Sequence, residues 1–206
     1  MAVFSQNEVE PKDNEEERDK VLTGLDILKP LFVVTRDQAT YDLYKDYFEC
    51  KKGLDCAFWL NQDFQPNGIK HIDYDISTFN RSDEPDDIAL KDIIIRPWHM
   101  PYNLNPTKTR YLSKSNLFVS DSPYEYLTLY ANASHVYTDL VHATIPCLLY
   151  NTPVKYWYVD KRSNAFESIK YLWKDENGFM FLDHKELYLE KIEIEKYIKK
   201  FITGMI

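Results

Sequence analysis

Four side chains in this chain of 206 residues have the type and the setting to handle an anion or a proton: His142, Arg36, Arg81 and Lys161. His142 stands just past the run Ser134-His-Val-Tyr-Thr138, and imidazole is the side chain whose proton moves most readily near neutrality. It suits general acid/base work or contact with an anion; the bland alternative is a histidine bonded to the preceding loop. Arg36 directly follows Leu31-Phe-Val-Val-Thr35. A guanidinium at that strand end could grip a carboxylate or phosphate through paired hydrogen bonds. Arg81, in Phe79-Asn-Arg-Ser-Asp-Glu84, is similarly placed, with a solvated ion pair to Asp83 or Glu84 as its alternative. Lys161 and Arg162 follow Val154 to Tyr158 and either face the same cleft or are solvated. His71, His99, His135 and His184 are scattered with no metal-ligand spacing, and no motif calls for a metal or a cofactor. With five glycines there is neither a GxGxxG nor a Walker loop, and no nucleophile elbow surrounds any serine.

The elements that must position these groups alternate between strand and helix. Leu31 to Thr35 is a short apolar, β-branched run that reads as a buried strand, and Asp37 fits the N-cap of a helix to about Phe48 with Leu43, Tyr44 and Tyr47 inward. The layout returns at residues 122–153. Pro123 opens a helix with Leu127, Tyr130 and Ala131 at helical spacing, and Ser134 to Thr138 is a strand. Asp139 is expected to cap a helix running through Cys147-Leu-Leu149, which Asn151-Thr-Pro153 closes before a strand at Val154 to Tyr158. Leu54 to Leu60 reads as a strand or a packed turn, Ile69 to Ile76 alternates like a strand, and Ile93-Ile-Ile95 could be either element. Residues 96–115 have three prolines and no clear period. Leu187, Ile192, Ile194, Tyr197, Ile198 and Phe201 among alternating charges predict an amphipathic terminal helix. The fold class expected is α/β, a Rossmann-like, mostly parallel sheet flanked by helices. Its divisions are residues 1–30 as an N-terminal extension with an acidic loop and a helix, 31–182 as the α/β domain, and 183–206 as a helix packing on it.

A net charge of −8 argues against a general nucleic-acid binder or a basic membrane-surface protein. Cys50, Cys56 and Cys147 are odd in number and lack C-x-x-C spacing, which fits reduced thiols rather than a disulfide framework. No run approaches the length of a membrane span, and no basic region followed by an apolar core opens the chain, so a cytoplasmic location is expected.

Several segments together resemble the polysaccharide pyruvyl transferase family. Leu31-Phe-Val-Val-Thr-Arg-Asp37 is similar to the family's strand ending in Arg-Asp or Arg-Glu, Leu54-Asp-Cys-Ala-Phe-Trp-Leu60 to its Pro-Asp-Pro-Ala-Phe segment, and Phe79 to Glu84 to its Phe-Arg-x-Asp stretch. Ala131-Asn-Ala-Ser-His-Val-Tyr-Thr-Asp139 and His142 follow the pattern of a Val-x-Thr-Asp strand leading into Arg-Leu-His-Gly or Ser-Phe-His-Gly. The resemblance implies a GT-B-like enzyme that moves a pyruvyl unit from phosphoenolpyruvate onto a sugar of a surface or extracellular polysaccharide. This chain resembles one half of that fold, the C-terminal one, so a second polypeptide or an oligomer is expected to complete the cleft. His142 matches the family's acid/base histidine and Arg36 an arginine holding the anionic donor; Arg81, Thr138, Asp139 and Lys161 join them as substrate-binding candidates. Leu140 stands where many members have arginine and Ala143 where glycine is usual.

Those departures keep two other functions in view: a GT-B glycosyltransferase half using a nucleotide-sugar donor, and a non-catalytic remnant that binds a glycan or a partner protein. The pyruvyl-transfer reading expects phosphoenolpyruvate or another anionic donor and a sugar acceptor as partners. It also expects the His142 imidazole and the Arg36 guanidinium to meet on one rim of a parallel sheet.

Overall fold

Parallel strands joined by helices recur in two separate sheets. The computed structural model describes residues 2–5, 15–66, 72–86, 88, 92–99, 115–157, 166 and 169–203. Two compact units divide the chain, and they interleave along it. Met1–Cys56, Lys161–Leu172 and Asp183–Ile206 form one; Ala57–Asp160 and Trp173–Leu182 form the other. Among the described residues no helix is long and apolar enough to cross a membrane.

In the first unit β1 (Ala2–Ser5), β2 (Phe32–Thr35) and β3 (Cys50–Lys52) form a parallel sheet with β2 in the centre. A central parallel strand is covered on both faces, which is why Phe-Val-Val-Thr is buried at all four positions. Helix α1 spans Glu15–Leu28 and α2 spans Gln38–Tyr44. Asp37 caps α2 as predicted, its carboxylate accepting from the Thr40 N–H and the Thr40 hydroxyl, each at 2.8 Å. The helix ends sooner than its apolar spacing suggests, because the chain must turn back to pair as β3 beside β2. Leu43 and Tyr44 therefore join Leu25 and Val33 in the core, while Tyr47, expected inward, is 55% exposed. At Gly53 the backbone runs so close to β2 that an added Cβ would lie 2.6 Å from Val34 Cγ1.

The terminal amphipathic helix forms as predicted, between His184 and Ile202 (the last helix, called α6 below). Asp183 caps it by accepting from the Lys185 and Glu186 N–H groups. Leu187 and Ile194 are buried, and the Tyr197 and Phe201 rings pack on Phe32 at 5.7 and 4.9 Å.

The second unit holds a seven-stranded sheet. Its parallel strands are β4 (Asp75–Thr78), β5 (Ile94–Pro97), β6 (Leu117–Phe118), β7 (His135–Thr138) and β8 (Val154–Tyr156). A hairpin of β9 (Trp173–Glu176) and β10 (Phe179–Leu182) closes the β8 edge antiparallel. Asn177 and Gly178 at its turn both have positive φ, as a two-residue hairpin turn matched to the twist of its strands requires. Helices α3 (Leu60–Asp63), α4 (Pro123–Asn132) and α5 (Val141–Leu149) belong to the same unit. Pro123 sits at the first turn of α4, as read from the sequence. Leu54 to Leu60 is no strand; a 3₁₀ turn over Cys56–Trp59 buries Phe58.

The sheet order is β6-β5-β4-β7-β8-β10-β9. From β4 the chain steps outward to β5 and β6, then returns across β4 to lay down β7 and steps the other way to β8. Strand order thus reverses between β4 and β7, the switch point of a Rossmann-like sheet. In such a sheet the connections leaving the two central strands diverge and open a crevice at their carboxyl ends. This is the mixed α/β, mostly parallel architecture expected from the sequence.

Candidate active site

The turn after β7 lies at that switch point. Thr138 ends the strand with its hydroxyl donating to the Thr78 carbonyl at 3.0 Å and accepting from the Leu140 N–H at 3.0 Å. Asp139 does not cap the following helix. Leu140 occupies the cap position, with no side-chain cap bond, and the Asp139 carboxylate reaches across to the connection leaving β4. There it accepts from the N–H groups of Asn80, Arg81 and Ser82 at 3.0, 2.9 and 2.7 Å, and from the Ser82 hydroxyl at 3.0 Å. Three consecutive N–H groups form a nest that surrounds an anion better than two N–H groups of its own helix would, which explains the departure from the predicted cap. Asp139 and Thr138 together tie the two sides of the crevice.

His142 is the second residue of α5 and is exposed. The positive end of the helix dipole disfavours a cation there, so its protonated form is a ready donor toward an anionic ligand that offsets the dipole. Pro146, inside the helix, removes the N–H that would otherwise take up the His142 carbonyl four residues back. The His99 ring faces His142 edge-to-face, with centroids 5.0 Å apart and planes at 88°. His99 follows β5 by two residues and so comes to the same carboxyl edge. Its Nε2 shares a 2.5 Å hydrogen bond with the Tyr130 hydroxyl, and its ring lies 4.5 Å from that of Tyr126. Burial, reinforced by the neighbouring His142, pushes the His99 pKa down to about 3, so this ring is neutral at physiological pH.

Sequence reasoning placed His99 among scattered histidines and missed it. The available signal was positional: like His142, it stands shortly after a β-branched run that ends in a strand.

The other candidates are placed as follows. Arg36 stands at the carboxyl end of β2, in the three-stranded sheet, where it forms an ion pair with Asp55; both side chains are 14% exposed. Arg36 and His142 therefore follow strands of different sheets, and the expectation that they meet on one rim of a single sheet is corrected: the chain builds two sheets where the sequence reading assumed one. Arg81 sits on the connection leaving β4, its backbone held by Asp139. The Glu84 carboxylate, one of its expected partners, is bound by Arg96 through Nε and Nη2 at 2.8 and 2.9 Å and by the Ser77 hydroxyl at 2.8 Å. Lys161 lies outside the described residues, as do Arg162 and His71. Among the described residues no group of three or more His, Cys, Asp or Glu could hold a metal ion.

A family model described as polysaccharide pyruvyl transferase matches residues 11–154, more than half of the chain. The chain belongs to the polysaccharide pyruvyl transferase family. No curated protein and no solved structure matches it. The part matched as pyruvyl transferase contains β2, the switch point, His99 and all of α5. At the two positions where the chain departs from the resemblance noted above, both side chains face inward. Leu140 is 1% exposed and Ala143 is fully buried, so Leu140 adds core packing at the place where an arginine would have to find room.

Proposed function

We propose that this member of the family transfers a pyruvyl group from phosphoenolpyruvate to two hydroxyls of a sugar in a surface or extracellular polysaccharide, with His142 as the acid/base. The observation that carries this reading is an exposed imidazole in the first turn of α5, at the switch point between β4 and β7. In the reaction, His142 gives its proton to the methylene carbon of the enol, which becomes the methyl group. The adjacent carbon, now electron-poor, is attacked by one sugar hydroxyl, whose proton returns to the imidazole. Phosphate leaves with its bonding electrons, and the second hydroxyl adds to the same carbon and loses its proton to close the ketal. One diol and one phosphoenolpyruvate give one ketal and one inorganic phosphate, with no change in redox state.

Both anionic groups of the donor need cationic partners, and Arg81 and Lys161 are the residues proposed to supply them. Thr138 and Asp139 serve the donor indirectly by holding the connection that carries Arg81.

The test is phosphate release from phosphoenolpyruvate in the presence of glycan acceptors, with mass detection of the ketal. His142→Ala is expected to lower turnover by about 100-fold or more, in the range general acid/base catalysis contributes, with an unchanged circular dichroism spectrum. Turnover within about threefold of wild type would remove His142 from its role. Calorimetric binding of a nucleotide sugar in place of phosphoenolpyruvate would shift the reading to glycosyl transfer.

A further inference from the structure

We infer that His99 is a positioning residue for His142, and that Tyr130, His99 and His142 form one continuous chain of contacts that fixes the orientation of the His142 imidazole. The inference rests on the acid/base role proposed for His142.

Three elements bring these residues together: His99 follows β5, Tyr130 is on α4, and His142 begins α5. The backbone that carries His99 is pinned on each side. The Pro97 carbonyl accepts from the Thr78 hydroxyl at 3.0 Å, the Trp98 N–H donates to the Phe118 carbonyl at 2.9 Å, and the Trp98 carbonyl accepts from the Tyr126 hydroxyl at 2.8 Å. The ring is then held at its edge by the 2.5 Å bond to the Tyr130 hydroxyl and on its faces by the Tyr126 and Tyr130 rings at 4.5 and 5.9 Å. Tyr130 is itself 1% exposed and cannot turn away.

A histidine fastened this thoroughly is stiff, whereas His142 is exposed on the second residue of a helix, where packing restricts a side chain less than in the core. The perpendicular contact at 5.0 Å is what connects the stiff ring to the exposed one. Because burial keeps His99 neutral, it can support the His142 cation without repelling it. Proton transfer to a carbon depends steeply on the direction from which the acid approaches, so holding the donor in one rotamer contributes to rate and not to ground-state binding.

The experiment uses the full chain with its histidine rings labelled with ¹⁵N. The His142 ring signals are assigned by their loss in His142→Ala, and no substrate is needed for this arm. Two variants are compared: His99→Phe, which keeps a buried ring but removes the hydrogen bond, and Tyr130→Phe, which removes one hydroxyl and keeps the volume. Both are expected to shift or broaden the His142 ring signals. In the phosphate-release assay they are expected to lower kcat by about tenfold or more, with KM for phosphoenolpyruvate unchanged within about twofold. If His99→Phe does not fold, Tyr130→Phe decides. Wild-type ring signals, or wild-type kcat, in Tyr130→Phe and in any folded His99 variant overturn the inference. The function reading fails by a different result, an active His142→Ala.

Discussion

Replacing Asp139 by alanine separates two accounts of the turn after β7. As a helix cap, which the sequence suggested, the carboxylate would contribute about 0.5–2 kcal/mol, and its loss would loosen the first turn of α5. The structure instead gives it the N–H groups of Asn80, Arg81 and Ser82 and the Ser82 hydroxyl, with Asp139 only 1% exposed. A buried donor left without its acceptor costs about 1–3 kcal/mol, and one that can reach water costs less. The bond to Asn80 is fully buried while the other three are partly buried, so about 3 kcal/mol is expected for the cluster, allowing for shared relaxation. Native-state hydrogen exchange is the suitable assay because it reads each amide separately and needs no two-state assumption in a chain with two units. In Asp139→Ala the amides of residues 80–82 should exchange about 100-fold faster, since each 1.4 kcal/mol is a factor of ten. Those of α5 should keep their protection. Asp139→Asn, which retains one carbonyl oxygen, should fall between. Unchanged exchange at 80–82 together with faster exchange in α5 would refute the bridging account.

Gly53→Ala should destabilise the protein by about 1–3 kcal/mol in urea, because the new methyl would meet Val34 Cγ1 at 2.6 Å and Ile194 Cδ1 at 3.3 Å; a neutral substitution would mean that β3 can retreat. The Arg96–Glu84 pair has side chains 8% and 6% exposed, so Glu84→Gln or Arg96→Met alone should cost about 3–5 kcal/mol. The double variant should recover part of that loss in a double-mutant cycle. The pKa of His99 is lowered from 6.5 to about 3, so between those values the unfolded chain binds the proton that the folded chain does not. Stability from this group is therefore complete above pH 6.5 and falls as pH drops toward 3, at no more than about 1.4 kcal/mol per pH unit. His99→Phe should flatten that part of the stability-versus-pH curve.

The strands β2 and β7 were legible because continuous apolar or β-branched runs bounded by turn residues have few other ways to be buried. Asp37 was legible as a cap because its partner, Thr40, is three residues away. What the sequence hid was long-range. Residues 75–78, Asp-Ile-Ser-Thr, look half-polar, yet all four are buried, since polar groups such as Thr78 and Asp75 find partners on neighbouring strands and loops. Asp139 satisfies donors some 60 residues earlier in the chain, and no local pattern announces that. The same holds for His99, whose neighbours come from α4 and α5, and for the second sheet, because strand-and-helix alternation reads the same whether the strands join one sheet or two. Arg36 was correctly placed at a strand end, but its pairing with Asp55 across a gap of nineteen residues was invisible.

The interleaving of the two units governs how the chain can be made and cut. By residue 156 the ribosome has delivered five parallel strands of the larger sheet, but the hairpin that covers β8 arrives only at residues 173–182. Phe32 likewise waits for Tyr197 and Phe201 to pack against it. The larger unit is therefore incomplete until residue 182 has been made, and the smaller one until its terminal helix follows. A fragment stopped near residue 160 would carry an open, adhesive β8 border, which makes it a poor choice for expressing the larger unit alone.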